Sequence, residues 1–346
     1  MNPVAAAAEL VPEVLAEYGA LARQRIGAYL PAREPRRYLY EMVADYPHRG
    51  GRMLRSSLCI ASAKAFGAST EDAVGTAAAI ELLHNAFLIH DDIEDESDRR
   101  RGRASLNALH GVPAALNAGD ALAILSLQPL LDNRLLLGPN VALDILEEAT
   151  LTARESVEGQ AIELGWRKDN VIDLDVVDYL RMILKKTCWY TTIYPCRVGA
   201  LIGTRGRPEP TPFIRFGFFL GAAFQIQDDL MNLVGDEAAY GKERDGDLWE
   251  GKRTVMMIYL FQRSTPHERA RLADVLSRPR SDRTAADVRW IRERMDAYGA
   301  IEYAMQSAQE LAGAATHEAT SLFAHLPDSR DRRFMEALPR WVIERS

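Results

Sequence analysis

The sequence predicts an all-α protein, and three observations carry that prediction. Apolar residues recur three and four positions apart over long windows, which is the pattern of a helix with one buried face. Alternating apolar and polar segments joined by hairpin dipeptides are nearly absent. The interruptions are short, contain glycine or proline, and lack the composition of a linker. We therefore expect one helical domain over residues 1–346.

The predicted helices follow one another between these interruptions. Helices near residues 9–30 and 34–46 precede the diglycine stretch at 48–52, and helices near 54–66 and 70–98 follow it. The stretches 110–113 and 137–140 bound helices near 113–136 and 141–165. A long helix near 173–203, in which Pro195 is expected to cause a kink, ends before the proline-rich stretch 203–212. The remaining helices are predicted near 212–234, 253–264, 267–277, 283–297, 299–325 and 329–344.

Composition narrows the class of protein. The net charge of −7 argues against nucleic acid as the main partner, because a phosphate polymer usually selects a basic face. The three cysteines, Cys59, Cys188 and Cys196, are widely spaced, which favours neither disulfides nor a zinc site and fits a reducing compartment. The first residues lack the basic segment and apolar core of a signal peptide, and no run reaches the roughly 18 apolar residues of a membrane span. We expect a soluble cytoplasmic protein without stable membrane insertion.

A first acidic motif, "HDDIEDESDRRRG" from His90 to Gly102, directly follows an apolar run from Ala77 to Ile89. A buried helix therefore delivers its carboxylates. Asp91 and Asp95 are four residues apart, so they lie one turn apart on the same helix face, where like charges repel. A cation between them would offset this repulsion.

A second acidic motif, "QDDLMNLVGD", repeats the arrangement with Asp228, Asp229 and Asn232 after another apolar helix. Two such helices are expected to face each other. Carboxylates with few imidazoles or thiols favour Mg²⁺, which keeps several waters and is often completed by phosphate oxygens of a substrate. The motifs thus predict a phosphorylated substrate. Solvated helix ends are the alternative, which two buried helices with the same ending make less favourable.

Basic residues are needed to neutralise the remaining phosphate oxygens, and arginine suits this task because of its planar fork of donors. His84 lies seven residues before Asp91, about two helical turns along the same face, where it could reach a neighbouring phosphate or simply be a core histidine. The basic candidates near helix breaks are Arg52, Arg55, Arg100, Arg101, Lys186, Lys242 and Lys252.

Taken together, these motifs resemble the polyprenyl synthetase family of trans-isoprenyl diphosphate synthases. The resemblance rests on "GGRMLR", "LLHNAFLIHDDIED", "RRG", "KKT", "FQIQDD" and "YGKERDGDLWEGKRT", in family order and at family spacing over residues 50–254. It implies an all-helical bundle, usually a homodimer, with a central cavity for magnesium and diphosphate. It also implies the head-to-tail condensation of an allylic diphosphate with isopentenyl diphosphate.

The resemblance assigns roles by position. It implies that Asp91, Asp95 and Asp228 bind Mg²⁺, with support from Asp92 and Asp229. The residues matched to the allylic diphosphate are Arg100, Lys186, Gln225, Lys242 and Lys252. The residues matched to isopentenyl diphosphate are Arg52, Arg55, His84 and Arg101. Thr187 and the Lys186 carbonyl are implied to stabilise the allylic cation. The family usually has a basic residue at Met53, which weakens the match to isopentenyl diphosphate, and Asn232 replaces an aspartate with a neutral oxygen ligand.

The length of the product depends on the floor of the channel for the growing chain. Phe87 lies one turn before Asp91 on its face, with the small Ala86 beside it, so Phe87 is either this floor or ordinary core. We expect a short to medium product, geranylgeranyl diphosphate first and farnesyl diphosphate second. A class I terpene cyclase would not need a second diphosphate site, and a noncatalytic regulatory subunit is expected to have lost carboxylates that this chain keeps.

Overall fold

The computed structural model describes residues 3–235 and 245–345, and nearly all of the elements in this part of the chain are helices. The all-α prediction is confirmed. The first half contains α1 (Pro3–Tyr29), α2 (Glu41–His48), α3 (Leu54–Ala65), α4 (Thr70–Glu94), α5 (Leu106–His110), α6 (Val112–Leu125), α7 (Leu127–Leu136) and α8 (Pro139–Lys168), with a π-helical turn at Arg36–Tyr40 before α2.

The second half begins with α9 (Val176–Ile183), which continues through a π-helical segment, Leu184–Ile193, into α10 (Tyr194–Thr204). The remaining elements are α11 (Pro210–Val234), α12 (Gly246–Glu250), α13 (Val255–Arg263), α14 (Pro266–Ser277), a 3₁₀ turn (Arg280–Asp282), α15 (Ala285–Tyr298), α16 (Ala300–Phe323) and α17 (Arg330–Glu344).

The end of α4 differs from the prediction. The helix was expected to reach residue 98, but it ends at Glu94, with Asp95 as its C-cap and Glu96 in the left-handed conformation at φ 52°. A short antiparallel hairpin follows, in which Arg99–Arg100 pairs with Arg103–Ala104. This hairpin, which no strand signal predicted, turns the arginines back toward the acidic end of α4.

Two predicted helices are divided. The helix expected near 113–136 is interrupted at Ser126, whose hydroxyl donates a 2.6 Å hydrogen bond to the Ala123 carbonyl and so competes with the helical ladder. The helix expected near 173–203 changes to π geometry over ten residues, Leu184–Ile193. Pro195 lies in the first turn of α10, where proline is tolerated, and the irregular geometry precedes it.

The core is built around α4 and α11, the helices that end in the acidic motifs. Residues of α4 such as Ile80 and Leu82 belong to different groups of packed apolar side chains, because the helix is buried on more than one face. The same holds for α11, where Leu220 and Ile226 contribute to different groups. Helices buried in this way fix the position of the side chains that follow them.

Two stretches of the described chain are long and apolar enough to cross a membrane by length and composition alone, which differs from the sequence expectation. The first, Thr70–Glu94, is α4, and 72% of its apolar window is buried inside the protein, as for a core helix. The second, Val112–Leu136, covers α6 and α7, and only 39% of its window is buried. The second stretch therefore leaves an apolar face exposed.

Candidate active site

A cavity of about 510 Å³ lies between α4, α8, the π-helical segment and α11. Asp91 from the first acidic motif and Asp228 from the second both line it, so residues far apart in sequence share one space. Eleven of the residues predicted for the metal and the diphosphates lie on its wall: Arg55, His84, Asp91, Arg100, Arg101, Lys186, Thr187, Gln225, Asp228, Asp229 and Lys252.

The other candidates have different positions. Asp92 and Asp95 are buried directly behind the wall. Arg52 is exposed at the surface and is not among the lining residues, so its role at the isopentenyl diphosphate remains a prediction. Lys242 lies outside the described residues.

Asp92 and Arg100 form a hydrogen-bonded ion pair within the first acidic motif. The Arg100 Nε donates a 2.8 Å hydrogen bond to Asp92, and its NH2 lies 3.1 Å from Asp91 Oδ2. The Tyr46 hydroxyl donates to the second oxygen of Asp92 at 2.5 Å. Because Arg100 is engaged by both carboxylates, it orients the motif as well as adding positive charge to the cavity.

Two lysines contact the remaining carboxylates of this motif. Lys252 Nζ lies 2.8 Å from Asp95 Oδ2, and Arg167 donates to Oδ1 of the same residue. Burial alone would raise the pKa of Asp95, but Lys252 and the neighbouring cations lower it below its ordinary value. Lys186 Nζ lies 2.6 Å from Glu163 and 3.6 Å from Asp91.

Both lysines keep their charge. Burial by itself would lower the pKa of Lys186, and Glu163 and Asp91 reverse that effect, so that its pKa is raised. Burial likewise opposes the charge of Lys252, and Asp95 and Glu250 raise its pKa well above the ordinary value. Two protonated lysines therefore stand at the point where the resemblance expects metal ions and an allylic diphosphate.

The second acidic motif is held by a chain of hydrogen bonds. Tyr179 and Gln225 donate to Asp229 at 2.8 and 2.7 Å, and Thr187 donates to Gln225 at 2.9 Å. Burial, reinforced by Asp247, raises the pKa of Asp229 to about 8. Asp229 is thus linked to Thr187 by hydrogen bonds through Gln225. Of the two aspartates, Asp228 has the more exposed carboxylate.

Asn232, which the sequence suggested as a neutral oxygen ligand, is not among the residues that line the cavity, and its role as a ligand stays a prediction. Its Oδ1 accepts the backbone N–H of Asp247 at 3.0 Å, and its carbonyl accepts the N–H of Asp245. The side chain is buried. Asn232 therefore anchors the chain that enters α12.

The π-helical segment carries Lys186 and Thr187 very close to α8. A Cβ at Gly159 would lie 2.1 Å from the backbone nitrogen of Lys186, so that only glycine allows this approach. On the other side, a Cβ at Gly221 would lie 2.9 Å from the sulfur of Cys188. Wide helical turns of this kind occur frequently at functional sites.

Arg55, His84, Arg101 and Tyr190 form a second group of side chains on the cavity wall. The Arg55 guanidinium lies 4.5 Å from the Tyr190 ring centre and 3.2 Å from His84 Nε2. Since arginine can only donate, Nε2 must accept and the ring must carry its proton on Nδ1. Burial and the neighbouring arginines hold the pKa of His84 well below its ordinary value, so this imidazole is neutral.

The Met53 side chain lies away from this cation group. It is buried against Gly19 at the start of α3 and is not among the residues that line the cavity. The departure from the family pattern at this position therefore removes no cation from the cavity wall.

Comparison with known proteins bears on this arrangement of motifs. The chain matches the polyprenyl synthetase family over residues 36–295, about three quarters of its length. It belongs to the polyprenyl synthetase family. The motifs that carried the resemblance all lie inside the matched region, with the two acidic motifs on the same cavity.

Relatives of this chain match it over most of its length. It is 33% identical to a short chain isoprenyl diphosphate synthase from Methanothermobacter thermautotrophicus, over 85% of this chain and 87% of the relative. It is 30% identical to an octaprenyl diphosphate synthase from Escherichia coli, over 86% of each chain. The structure of a geranylgeranyl pyrophosphate synthetase from Pyrococcus horikoshii superimposes with a TM-score of 0.84 at 29% identity, covering 96% of this chain and 99% of the other.

The possible metal ligands at the cavity fit a hard divalent cation. The acidic side chains at the cavity supply only oxygen, the ligand type that Mg²⁺ prefers. Within residues 3–235 and 245–345, no three side chains of the metal-binding types converge into a protein-only site.

Several residues at or next to the cavity were not predicted from the sequence. Glu163 and Arg167 on α8 contact Lys186 and Asp95, yet they lie in a helix with many scattered charges. Tyr179 precedes the "KKT" stretch and looks like an ordinary helix residue. For Tyr190, which follows that stretch, the sequence left open whether the ring faces the channel or the core, and in the structure it lies on the cavity wall.

Proposed function

We propose that this protein is a Mg²⁺-dependent trans-prenyltransferase, which condenses isopentenyl diphosphate head to tail with an allylic diphosphate. The observation that carries the proposal is the shared cavity. Its wall carries both acidic motifs with Lys186 and Lys252, and it also carries a second group of cations, Arg55 and Arg101, beside His84. Two groups of cations suit two diphosphates.

The acidic motifs suit the allylic diphosphate. Asp91, Asp95 and Asp228 would hold the metal, which when bound supplies positive charge against the diphosphate oxygens. Lys186 and Lys252 stay protonated, and they would stabilise the negative charge that develops as the allylic carbon–oxygen bond breaks. Fixed charges that face a developing charge are an effective way to lower a barrier.

The "KKT" stretch suits the carbocation left by that cleavage. Thr187 points its hydroxyl toward Gln225, which orients the oxygen lone pairs of Thr187 in the cavity. The double bond of isopentenyl diphosphate then attacks the cation, a new carbon–carbon bond forms, and a proton is lost from the adjacent carbon. The released diphosphate is the proposed base for that proton, and apolar cavity walls exclude water from the cation.

The second cluster suits isopentenyl diphosphate. Arg55 and Arg101 line the cavity and are the cations for its two phosphates. The neutral His84 adds no positive charge but accepts from Arg55 and keeps that guanidinium in place. Arg52, exposed at the end of the diglycine loop, is proposed to join this group.

Product length is the finer part of the proposal. Phe87 and Tyr190 meet edge to face across the cavity with ring centres 5.6 Å apart, and together they would close the channel below Asp91. We propose geranylgeranyl diphosphate as the favoured product and farnesyl diphosphate as the second. The names of the relatives range from short-chain to octaprenyl synthases and so leave the length open.

The assembly is proposed to be a homodimer of one-domain subunits in the cytoplasm. The exposed apolar face of α6 and α7 supports a second copy as the partner, since a patch of this type usually marks an interaction surface. Its exposed members include Leu116, Ile124, Leu127, Leu131 and Leu135.

Product analysis tests this function. Purified protein is incubated with Mg²⁺, isopentenyl diphosphate and each of dimethylallyl, geranyl and farnesyl diphosphate, and the products are identified by mass spectrometry. Longer prenyl diphosphates that disappear with a chelator are expected. Hydrocarbons or alcohols without elongation would indicate a terpene cyclase, and no turnover with any primer would indicate a noncatalytic subunit.

A further inference from the structure

Arg345 follows directly after α17 and places its guanidinium against the second acidic motif. Its NH2 donates to Asp228 Oδ1 at 2.5 Å and to the Phe224 carbonyl at 3.0 Å, while Nε donates to the Val342 carbonyl at 3.1 Å. The side chain is only 4% exposed. Because a buried cation is unfavourable unless it is paired, the contact with Asp228 is part of the packed structure and not a surface ion pair.

The surroundings hold this guanidinium in one place. It stacks on the Phe224 ring at 3.9 Å, and the Arg345 carbonyl accepts from Gln227 Nε2 at 3.3 Å. Phe224 and Asp228 are one helical turn apart on α11, and both line the cavity. Arg345 itself is not among the lining residues, so it approaches Asp228 from behind.

We propose that Arg345 is a positioning residue for the proposed metal and diphosphate site. By holding Oδ1 of Asp228 from α17, it fixes the carboxylate in the orientation that presents Oδ2 to the cavity. The proposal rests on the proposed function, because it concerns the same metal-dependent diphosphate site. Hydrogen-bond partners that orient a metal-binding carboxylate typically affect metal affinity by about 10- to 100-fold.

Arg345 could instead compete with the metal for Asp228, and this alternative can be distinguished by experiment. If Arg345 competed with the metal for Asp228, its removal would tighten binding. If it orients Asp228, its removal weakens binding, and the effect depends on the carboxylate being present. The two readings therefore differ in sign.

The experiment measures the binding of inorganic pyrophosphate in excess Mg²⁺ by isothermal titration calorimetry. Arg345→Gln is expected to weaken binding by about tenfold or more, and Arg345→Lys to lie between this variant and the wild type because lysine keeps the charge but loses the fork. Arg340→Gln is the matched control. Arg340 lies on the same helix, pairs with Glu344 at 2.6 Å and is exposed, so its removal should leave binding unchanged.

An Asp228→Asn background makes the test specific. There, Arg345→Gln should cause little further loss, because Arg345 acts through the carboxylate. Equal losses in both backgrounds, or wild-type or tighter binding by Arg345→Gln, would overturn the proposal. If Arg345→Gln does not fold, Arg345→Lys carries the same comparison with a smaller expected loss. A wild type that fails to bind pyrophosphate with Mg²⁺ would instead count against the proposed function.

Discussion

The lysines of the cavity contact the carboxylates that the sequence predicted as metal ligands. Lys252 lies on Asp95, and Lys186 lies between Asp91 and Glu163. Opposite charges that are already close to their working positions need little reorganisation when a metal–diphosphate complex enters. The pairing also offsets part of the desolvation cost of burying several charges in one cavity.

His84 leads to a prediction of how the free energy of unfolding depends on pH. Its pKa is lowered by burial and by nearby arginines, so the folded protein keeps it neutral while the unfolded chain protonates it below its ordinary pKa of about 6.5. Acid therefore favours the unfolded state. From this residue alone, the free energy of unfolding should fall by up to about 1.4 kcal/mol per pH unit below that pKa.

Urea unfolding of the wild type and of His84→Asn, between about pH 7 and pH 5, measures this slope. His84→Asn should give a shallower decline because it cannot take up the proton. His267→Asn, at an exposed position, is the control and should follow the wild type. Parallel profiles for the wild type and His84→Asn would show that His84 does not cause the decline.

The site residues that could be predicted from the sequence are those that short spacings along the chain identify. Asp91 and Asp95 are four apart, and Arg100 follows within the same stretch, so their proximity could be read directly. Glu163 and Arg345 could not be found in this way. Arg345 reaches Asp228 across 117 residues, and only the packing of α17 on α11 brings the two side chains together.

The π-helical segment is the element on which the site depends most. Its wide turns place Lys186 and Thr187 in the cavity, while Gly159 and Gly221 let neighbouring helices approach its backbone. The sequence predicted a helix here, but its apolar pattern does not distinguish an α-helix from a π-helix. The difference comes from close contacts with distant helices, which a local pattern does not contain.

Gly159→Ala tests this contact. The added methyl group would lie 2.1 Å from Lys186 N, so the π-helical segment or α8 must move. We expect the free energy of unfolding to fall by about 1–3 kcal/mol and kcat to fall as Lys186 and Thr187 shift. Urea unfolding and steady-state kinetics measure the two effects.

Gly165→Ala is the matched control on the same helix. No atom lies within 4 Å of the position of its Cβ, so the alanine is expected to stabilise α8 by up to about 1 kcal/mol without affecting kcat. If both alanine variants behaved alike, the close approach at Gly159 would have no role in the site.

Phe87 and Tyr190 give a second prediction for the elements of the cavity. Phe87→Ala removes the α4 half of the aromatic pair, so the chain is expected to grow by one or two further isoprene units. Mass spectrometry of products from farnesyl diphosphate measures the shift. Tyr190→Phe keeps both rings and should keep the product length. An unchanged product with Phe87→Ala would place the end of the channel elsewhere.

For the whole molecule, the all-α class followed from periodicity alone, and the two central helices followed from their apolar length. Their convergence could only be suggested by the similarity of the two acidic motifs. The hairpin at Arg99–Arg100 and Arg103–Ala104 was missed because two-residue strands have too few residues for an alternating pattern. The break at Ser126 was missed because it contains neither glycine nor proline.

The exposed apolar face of α6 and α7 predicts that two copies of the chain form a dimer through it. Size-exclusion chromatography with light scattering should give about twice the chain mass of 38.6 kDa. Leu131→Glu with Leu135→Glu should shift the protein toward the monomer, because burying two carboxylates at the interface is unfavourable. Met305→Glu, at an exposed apolar position on α16, is the control. A monomeric wild type would contradict this assignment of the face.

The most direct test asks whether the two acidic motifs act as one unit. We would measure kcat/KM for the wild type, Asp91→Asn, Asp228→Asn and the double variant, with isopentenyl and farnesyl diphosphate at saturating Mg²⁺. Each single variant is expected to lose about 10³-fold, and the double variant far less than the product of the two losses, because both carboxylates serve one diphosphate. Fully multiplicative losses, or wild-type kcat/KM in either single variant, would contradict the account.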